Sequence, residues 1–579
     1  MDAGSSTVAD LIRRNGTDPK TAGRVFLQFE DQTITHAAYY AESVRFARLF
    51  LTLRDPEAPL HVGVLMDNLP EYLLAFGGAA LAGAVVVGIN NTQRGASLAR
   101  DVRHADCQML LTEPAYLPLL EPIRDQLPLL DESRILLDQR REARASRPFF
   151  GRDLDAALGE ISRRLGAGFD QDPGIPIDAD ARYLLVFTSG TTAAPKAVSI
   201  SQRRMITTGE YIGGLMGVGA DDCGYLAMPL FHANSQQCGF MPALLAGARL
   251  GMVRRFSKSR FLADVRRYGV TYFNYTGKPL SYILTTRREA DDRDNPLRVC
   301  YGNEGSVRVI EEFRERFGCQ VIDGFGATEG GFGFARSPGD PPGSVGKPPE
   351  TIQVLRPDGT RCPAAVLDGA GRIRNPEEAI GEIVNTAGIG KFEGYYKNEE
   401  ATRERTRGGM YWSGDFGYRD RRGYLYFTGR ALDWIRVDGE NFLAKPIEEA
   451  LQAHPGVYLA SVYGVPDAAA GDRVMATIVL GDEAELDRDG LYTFLASRPG
   501  FSPKWLPTYV RVGREVPMTP TNKVLVRELR RQKFRPDATA DPVYWRERGE
   551  TTYKPFTRAD YERVRREFAA AGREHLLEL

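Results

Sequence analysis

The stretch Phe187-Thr188-Ser189-Gly190-Thr191-Thr192-Ala193-Ala194-Pro195-Lys196 comes directly after the apolar segment that begins at Tyr183 and concentrates hydroxyls, one glycine and a lysine. Hydroxyls and backbone N–H groups surround anionic oxygens well, glycine lets the backbone approach closely, and lysine adds a mobile positive charge. This chemistry suits a polyphosphate, and ATP is the first ligand to consider.

A conventional P-loop is the nearest rival, because Gly190 and Lys196 have the spacing of G-x-x-x-x-G-K-[ST]. Two positions oppose it. Pro195 stands where the second glycine belongs and has no N–H, and Ala197 replaces the Ser/Thr whose hydroxyl binds magnesium. Taken alone, a Ser/Thr/Gly run also reads as an ordinary polar loop, so other segments must decide.

Further segments follow in a set order: Met228-Pro229-Leu230-Phe231-His232, Asp323-Gly324-Phe325-Gly326-Ala327-Thr328-Glu329, Tyr411-Trp412-Ser413-Gly414-Asp415, and Gly429-Arg430 through Gly439-Glu440-Asn441. Pro517-Met518-Thr519-Pro520-Thr521-Asn522-Lys523 closes the series. Together they resemble the adenylate-forming superfamily of acyl-CoA synthetases, peptide-synthetase adenylation domains and luciferases, over nearly the whole chain. Tyr553-Lys554-Pro555-Phe556-Thr557 and the helical pattern after it resemble the tail of fatty-acid-transport-protein-type and actinobacterial fatty acyl-CoA ligases.

Strand-like runs alternate with helical patterns, as in Val62 to Met66, Glu71 to Leu81 and Val85 to Ile89, a βαβ rhythm that predicts an α/β fold with doubly wound sheets. The resemblance implies a large N-terminal domain, 1–429, of such subdomains plus a distorted β-barrel from Gly343 to about Phe427. It also implies a small mobile α+β C-terminal domain, 430–579, with a hinge near 430–433. Thr557 is positioned to cap a last helix with Asp560 as its acidic partner, and Tyr561, Val564 and Phe568 repeat at helical spacing until Gly572.

Roles follow from the resemblance residue by residue. Lys523 would bridge the acid's carboxylate and the α-phosphate during adenylation, Thr328 would donate to that phosphate, and Glu329 would bind magnesium, a hard cation that takes oxygen ligands. Thr188, Ser189, Gly190, Thr191, Thr192 and Lys196 would hold the phosphates. Gly302, Asn303, Glu304, Asp323 and Gly324 would border the purine, with Phe325 stacked on it. Asp415 would accept from the ribose hydroxyls, and Arg430 would hold the ribose and its phosphate. His232 would line the carboxylate site. The loop at Gly439 would reach the site in a second state that admits coenzyme A. The acid pocket is expected near Asn234, Gly277 and Gly302.

The sequence departs from the family pattern at Ala193 and Ala197, which replace glycines around the phosphate loop, and at Asn522, which replaces the glycine before Lys523. A Cβ at a position needing positive φ costs about 1 to 2 kcal/mol. That penalty would fall on ATP and not on a bound acyl-adenylate. Two alternatives to a complete ligase therefore stand: an enzyme that only transfers an acyl group from an adenylate made by an upstream ligase, and a non-catalytic binder of acyl-adenylate or CoA.

Composition fits a multidomain globular protein: 579 residues, 42% of them hydrophobic. A net charge of −1 gives no reason to expect nucleic acid. The six cysteines form no CxxC pair, so a reduced, soluble, cytoplasmic protein is expected. There is no apolar span of membrane length. Homodimers are common in the superfamily, although no interface is legible. The basic run Arg527, Arg530, Arg531 and Lys533 reads as a solvated face.

Overall fold

The computed structural model describes residues 7–578 apart from 142–149, 189–195, 304, 306, 338, 342, 369–372, 431–433, 438–439, 470, 482–483, 499–500, 520–522 and 548. Two mainly parallel sheets dominate it. The first has seven strands, with His61–Leu65, Val85–Gly88 and Arg182–Thr188 at its centre and Lys196–Ser201 antiparallel at its edge. The second has eight, parallel from Val25–Phe29 through Arg249–Met252, Cys223–Leu226, Tyr272–Thr276 and Val299–Asn303 to Gln320–Gly326.

The predicted βαβ unit is present, with Val62 paired to Val86 across parallel strands. Its crossover helix, Pro70–Ala82, starts on a proline, whose missing N–H costs nothing at a helix start, and is buried along its whole length. A helix apolar all round must be covered on every face. Here Gly77 and Gly78 let helix His36–Leu53 approach until Ser43 and Phe46 fill the space their side chains would take. One continuous core results, reaching from Val62 and Leu184 of the first sheet to Phe26 and Leu250 of the second.

The region expected as a distorted barrel contains an antiparallel four-stranded sheet of Ile352–Leu355, Gly381–Asn385, Tyr411–Arg419 and Leu425–Arg430. Isolated bridges, Gly346 to Leu425 and Ala365 to Asp420, extend it. Past it lies a five-stranded sheet led by Val457–Pro466 and Asp472–Leu480, with helices Ala444–Gln452 and Arg488–Ala496 sharing its core. The residues between, 431–433, where the hinge is expected, lie outside the described ones.

The last helix, Arg558–Ala570, has the expected capping box between Thr557 and Asp560, and Gly572 beyond it has a φ of +68°. Val564 and Phe568 dock it against Tyr463, Phe534 and Trp545. The basic run is not uniformly solvated as expected: Arg531 pairs with Glu528 at the surface, while Lys533 is buried because the chain folds its stem inward after helix Val526–Gln532. All six cysteines are buried and free. No helix of the described residues is long and apolar enough to cross a membrane.

Two histidines impose a pH dependence. Burial pushes the His36 imidazole down to about 4 and, with the Lys523 ammonium nearby, that of His232 down to about 3. A base held neutral by burial takes up its proton more readily in the unfolded chain. Its contribution to stability is therefore complete above the ordinary value of 6.5 and is lost as pH falls toward the folded values. Each costs at most about 1.4 kcal/mol per pH unit below that value, while the buried Asp101 and Asp138 carboxyls, pushed up to about 6 and about 7 by burial, act in the opposite sense over the same range, so the histidine contribution is read as a difference between variants. Between about pH 7.5 and 5.5 the wild type should lose about 1 kcal/mol more urea-unfolding free energy than His36→Gln.

Candidate active site

A cleft of about 2120 Å³ opens where the carboxyl ends of the parallel strands of the eight-stranded sheet meet the edge of the seven-stranded sheet, the four-stranded sheet and the C-terminal unit. Open α/β sheets bind ligands at strand carboxyl ends, because the strands deliver loops there while the helices cover the faces. Thr188, Lys196, His232, Asn303, Asp323, Gly324, Phe325, Thr328, Glu329, Asp415 and Lys523 all line the cleft.

Strand pairing sets the purine side. Asn303 donates from Nδ2 to the Gly324 carbonyl at 2.6 Å, and Asp323 Oδ1 accepts from Tyr275 Oη at 3.2 Å and from the Gly305 N–H at 3.1 Å. These bonds brace three adjacent strand ends. Phe325 borders the cleft from an aromatic group with Phe332, Phe334 and Phe427, so its ring serves the core edge and the cleft wall together. Gly302 does not line the cleft. A Cβ there would lie 2.5 Å from the Tyr275 carbonyl oxygen, so this glycine allows neighbouring strands to pack. Gly277 is likewise absent from the lining, whereas Asn234 is part of it.

Glu329 is almost fully buried, and its Oε1 accepts from Tyr395 Oη at 2.9 Å. The Lys196 ammonium sits 5.2 Å from the Tyr395 ring centre. The Thr328 carbonyl accepts from Arg204, which spans to the Ser199 carbonyl at 3.1 Å. Asp415 is buried one residue beyond Gly414, whose φ of +73° turns the strand and whose N–H donates to Glu382 Oε1 at 2.7 Å. Burial pushes the Glu382 carboxyl up. Arg430 pairs with Asp415 in strand register. Among the described residues no group of three or more His, Cys, Asp or Glu could enclose a metal. A single buried carboxylate beside cationic walls fits a magnesium ion that arrives with a polyphosphate and keeps phosphate and water ligands.

His232 is half-buried and lines the cleft, and its solvent-shielded Nε2 has no hydrogen-bond partner among the described residues. It lies two positions before a π-helical turn, Asn234–Phe240, a geometry often found at functional sites. That turn packs against helix Gln202–Met216, with Cys238 in one apolar cluster with Ile212 and Met216. Tyr211, Ile212, Ala233, Cys238 and Tyr301 give this end an apolar lining.

Lys523 comes from the C-terminal unit; its N–H donates to Thr519 Oγ1 at 3.0 Å, and its charge reaches His232. Contacts between the units hold it there. Arg308 donates to the carbonyls of Pro455 and Val457, Tyr458 Oη donates to Glu312 at 3.2 Å, and Tyr282 packs on Leu459, Val479 and Val516. Residues 189–195, Glu304 and Gly439, and the side chain of Arg430, lie outside the described parts. Tyr395, Arg204, Arg308 and Arg405 were not singled out from sequence, because isolated polar residues in helices and loops carry no periodic signal of what they face.

A nucleotide-sized cleft with this residue set, between a two-sheet body and a small unit carrying a lysine, defines an adenylate-forming protein. The chain belongs to the AMP-binding enzyme family: the profile of that description matches residues 16–396, and the AMP-binding enzyme C-terminal domain matches 446–523. It is 40% identical over 583 residues to steroid-22-oyl-CoA synthetase of Rhodococcus jostii, covering 100% of both chains. It is 42% identical over 504 residues to the medium/long-chain-fatty-acid–CoA ligase FadD17 of Mycobacterium marinum, covering 87% of this chain and 92% of that one. The structure of the anthranilate CoA ligase AuaEII with anthranoyl-AMP shares the fold, with a TM-score of 0.75 at 22% identity over 90% of this chain and 96% of that one.

Proposed function

We propose that this protein is an acyl-CoA ligase that converts a hydrophobic carboxylic acid to its CoA thioester through an acyl-adenylate, using ATP, magnesium and coenzyme A. The observation that carries this reading is the convergence of Lys523, Glu329 and Asp415 from three separate sheet systems on one cleft with an apolar end. In the first step a carboxylate oxygen attacks the α-phosphorus and pyrophosphate leaves. Two anions must meet, so fixed cations and donors are the main requirement. Lys523 lies between them, Thr328 donates to the α-phosphate, and Asp415 orients the ribose. Glu329 would hold the magnesium ion, which neutralises polyphosphate charge. His232, uncharged near neutral pH, shapes the carboxylate end without adding charge. In the second step the thiolate of coenzyme A displaces AMP from the acyl carbon.

The apolar end and the two relatives make fatty acids and polycyclic side-chain acids the classes to test. The assay compares thioester formation from free acids with ATP, magnesium and CoA against formation from matching synthetic acyl-adenylates with CoA alone. Product from both arms is expected. Product from the adenylates alone would mean that the alanines at 193 and 197 have cost the first step, and the enzyme would depend on an upstream ligase. No product in either arm sinks the ligase reading.

The small domain is proposed to turn about residues 430–433 between the two steps. The Arg308 contacts hold the arrangement in which Lys523 faces the cleft. Arg308→Ala should therefore slow acid-dependent pyrophosphate release by about 3- to 10-fold, the worth of one or two charge-assisted hydrogen bonds partly replaced by water. Thioester formation from the adenylate should hold or rise. Equal losses in both steps would speak against a latch.

A further inference from the structure

The buried Arg204 and the half-buried Arg405 flank Glu329, and among the described residues neither has a carboxylate within 4.0 Å. A buried cation is costly unless an anion meets it. Arg204 uses both terminal nitrogens on the carbonyls of Ser199 and Thr328 and so serves to position the segment leading into Glu329.

Arg405 is placed differently. It stands at the end of helix Glu399–Arg405 and lines the cleft. One nitrogen donates to the Trp412 carbonyl at 3.1 Å, and the charge bears on Tyr395, the residue that also holds Glu329. Its guanidinium lies against Gly414, with Nη2 and the central carbon 3.1 and 3.2 Å from where a Cβ would stand. It therefore spans the interval between Glu329 and the strand position just before Asp415. A guanidinium has five donors in a planar fork, and the bond to Trp412 leaves part of that fork for a ligand.

We propose that Arg405 is a polyphosphate-binding residue that contacts phosphate oxygens of ATP between the magnesium acid and the ribose. This rests on the ligase reading only in taking ATP as the anion. The Glu329 carboxylate bears on this charge without pairing directly with it, so the guanidinium keeps donors for an incoming phosphate, which it would meet in a fork-on-phosphate contact. It also provides a cation outside the phosphate loop whose glycine is replaced by Ala193.

The test is calorimetric binding of the α,β-methylene analogue of ATP with magnesium, and of AMP, to the whole protein and to Arg405→Ala, Arg405→Gln and Arg405→Lys. Loss of a charge-assisted phosphate contact should weaken the analogue about 10- to 100-fold in the Ala and Gln variants, with Lys between them and the wild type. AMP affinity should change less than about threefold, and thioester formation from a synthetic acyl-adenylate should stay within about twofold, on the same scale of affinity. Equal weakening of AMP and the analogue, unchanged analogue binding, or loss of the adenylate-fed step would overturn the proposal. Binding needs no turnover, so a wild type that binds the analogue but forms no thioester defeats the ligase reading and leaves this one standing.

Discussion

Lys523→Ala should lower acid-dependent pyrophosphate release by about 10²- to 10³-fold, the usual cost of removing one preorganised group from developing negative charge. Thioester formation from a preformed acyl-adenylate should remain within a few-fold of wild type. The asymmetry follows from where the charge is needed. Lys523 projects into the cleft from the C-terminal unit, and its field already bears on the uncharged His232. Before adenylation that cleft must accept a carboxylate and a polyphosphate together, and a bridging ammonium offsets their repulsion. Once the adenylate exists, its phosphate carries a single charge and the carboxylate is neutralised as a mixed anhydride. Single-turnover assays of each step measure the two effects separately. Equal loss in both would mean that Lys523 supports the fold or CoA binding and not the first step.

The second large effect concerns packing directly behind the metal acid. A methyl group at Gly331 would overlap the ring of Tyr411, which is fully buried, while the Gly331 carbonyl accepts from Asn385 at 2.8 Å. Neither the ring nor the backbone has room to withdraw, because Tyr411 begins a central strand of the four-stranded sheet and contacts Phe332 and Phe392. Overpacking of this kind costs typically 1 to 3 kcal/mol, and Gly331→Ala belongs at the upper end, about 3 kcal/mol. Urea unfolding should show a lower midpoint with an unchanged slope. Because Glu329 is only two residues away, nucleotide affinity should fall as well. A variant with wild-type stability would mean that the Tyr411 ring finds another seat.

Much of the architecture was legible locally. The Val62, Glu71 and Val85 segments have the periods of strand, helix and strand, and the Thr557–Asp560 box with its apolar repeat marks a helix wherever it occurs, since caps and amphipathic faces are satisfied within a few residues. The positions of Lys196, Glu329, Asp415 and Lys523 were legible from motif context. Their common cleft is a property of the fold. Gly302 illustrates the limit: its place beside Asn303 suggested a ligand contact, but the tertiary structure uses its missing side chain to seat Tyr275. Arg405 lies in the alternating Arg403, Arg405, Arg407 stretch, which reads as solvated charge until the fold sets it against Gly414.

By itself the sequence determined the order of strands and helices, the helix ends and the set of chemical groups available, because each depends on neighbours within a turn or a strand. Only the tertiary structure decided which of those groups share one space. Lys523 meets His232 through contacts made by Arg308, Tyr458 and Tyr282, residues separated by more than a hundred positions from their partners. The place of Arg405 between Glu329 and Gly414 is of the same kind, since charge neighbours are defined by distance in space and burial, and neither is encoded in local spacing.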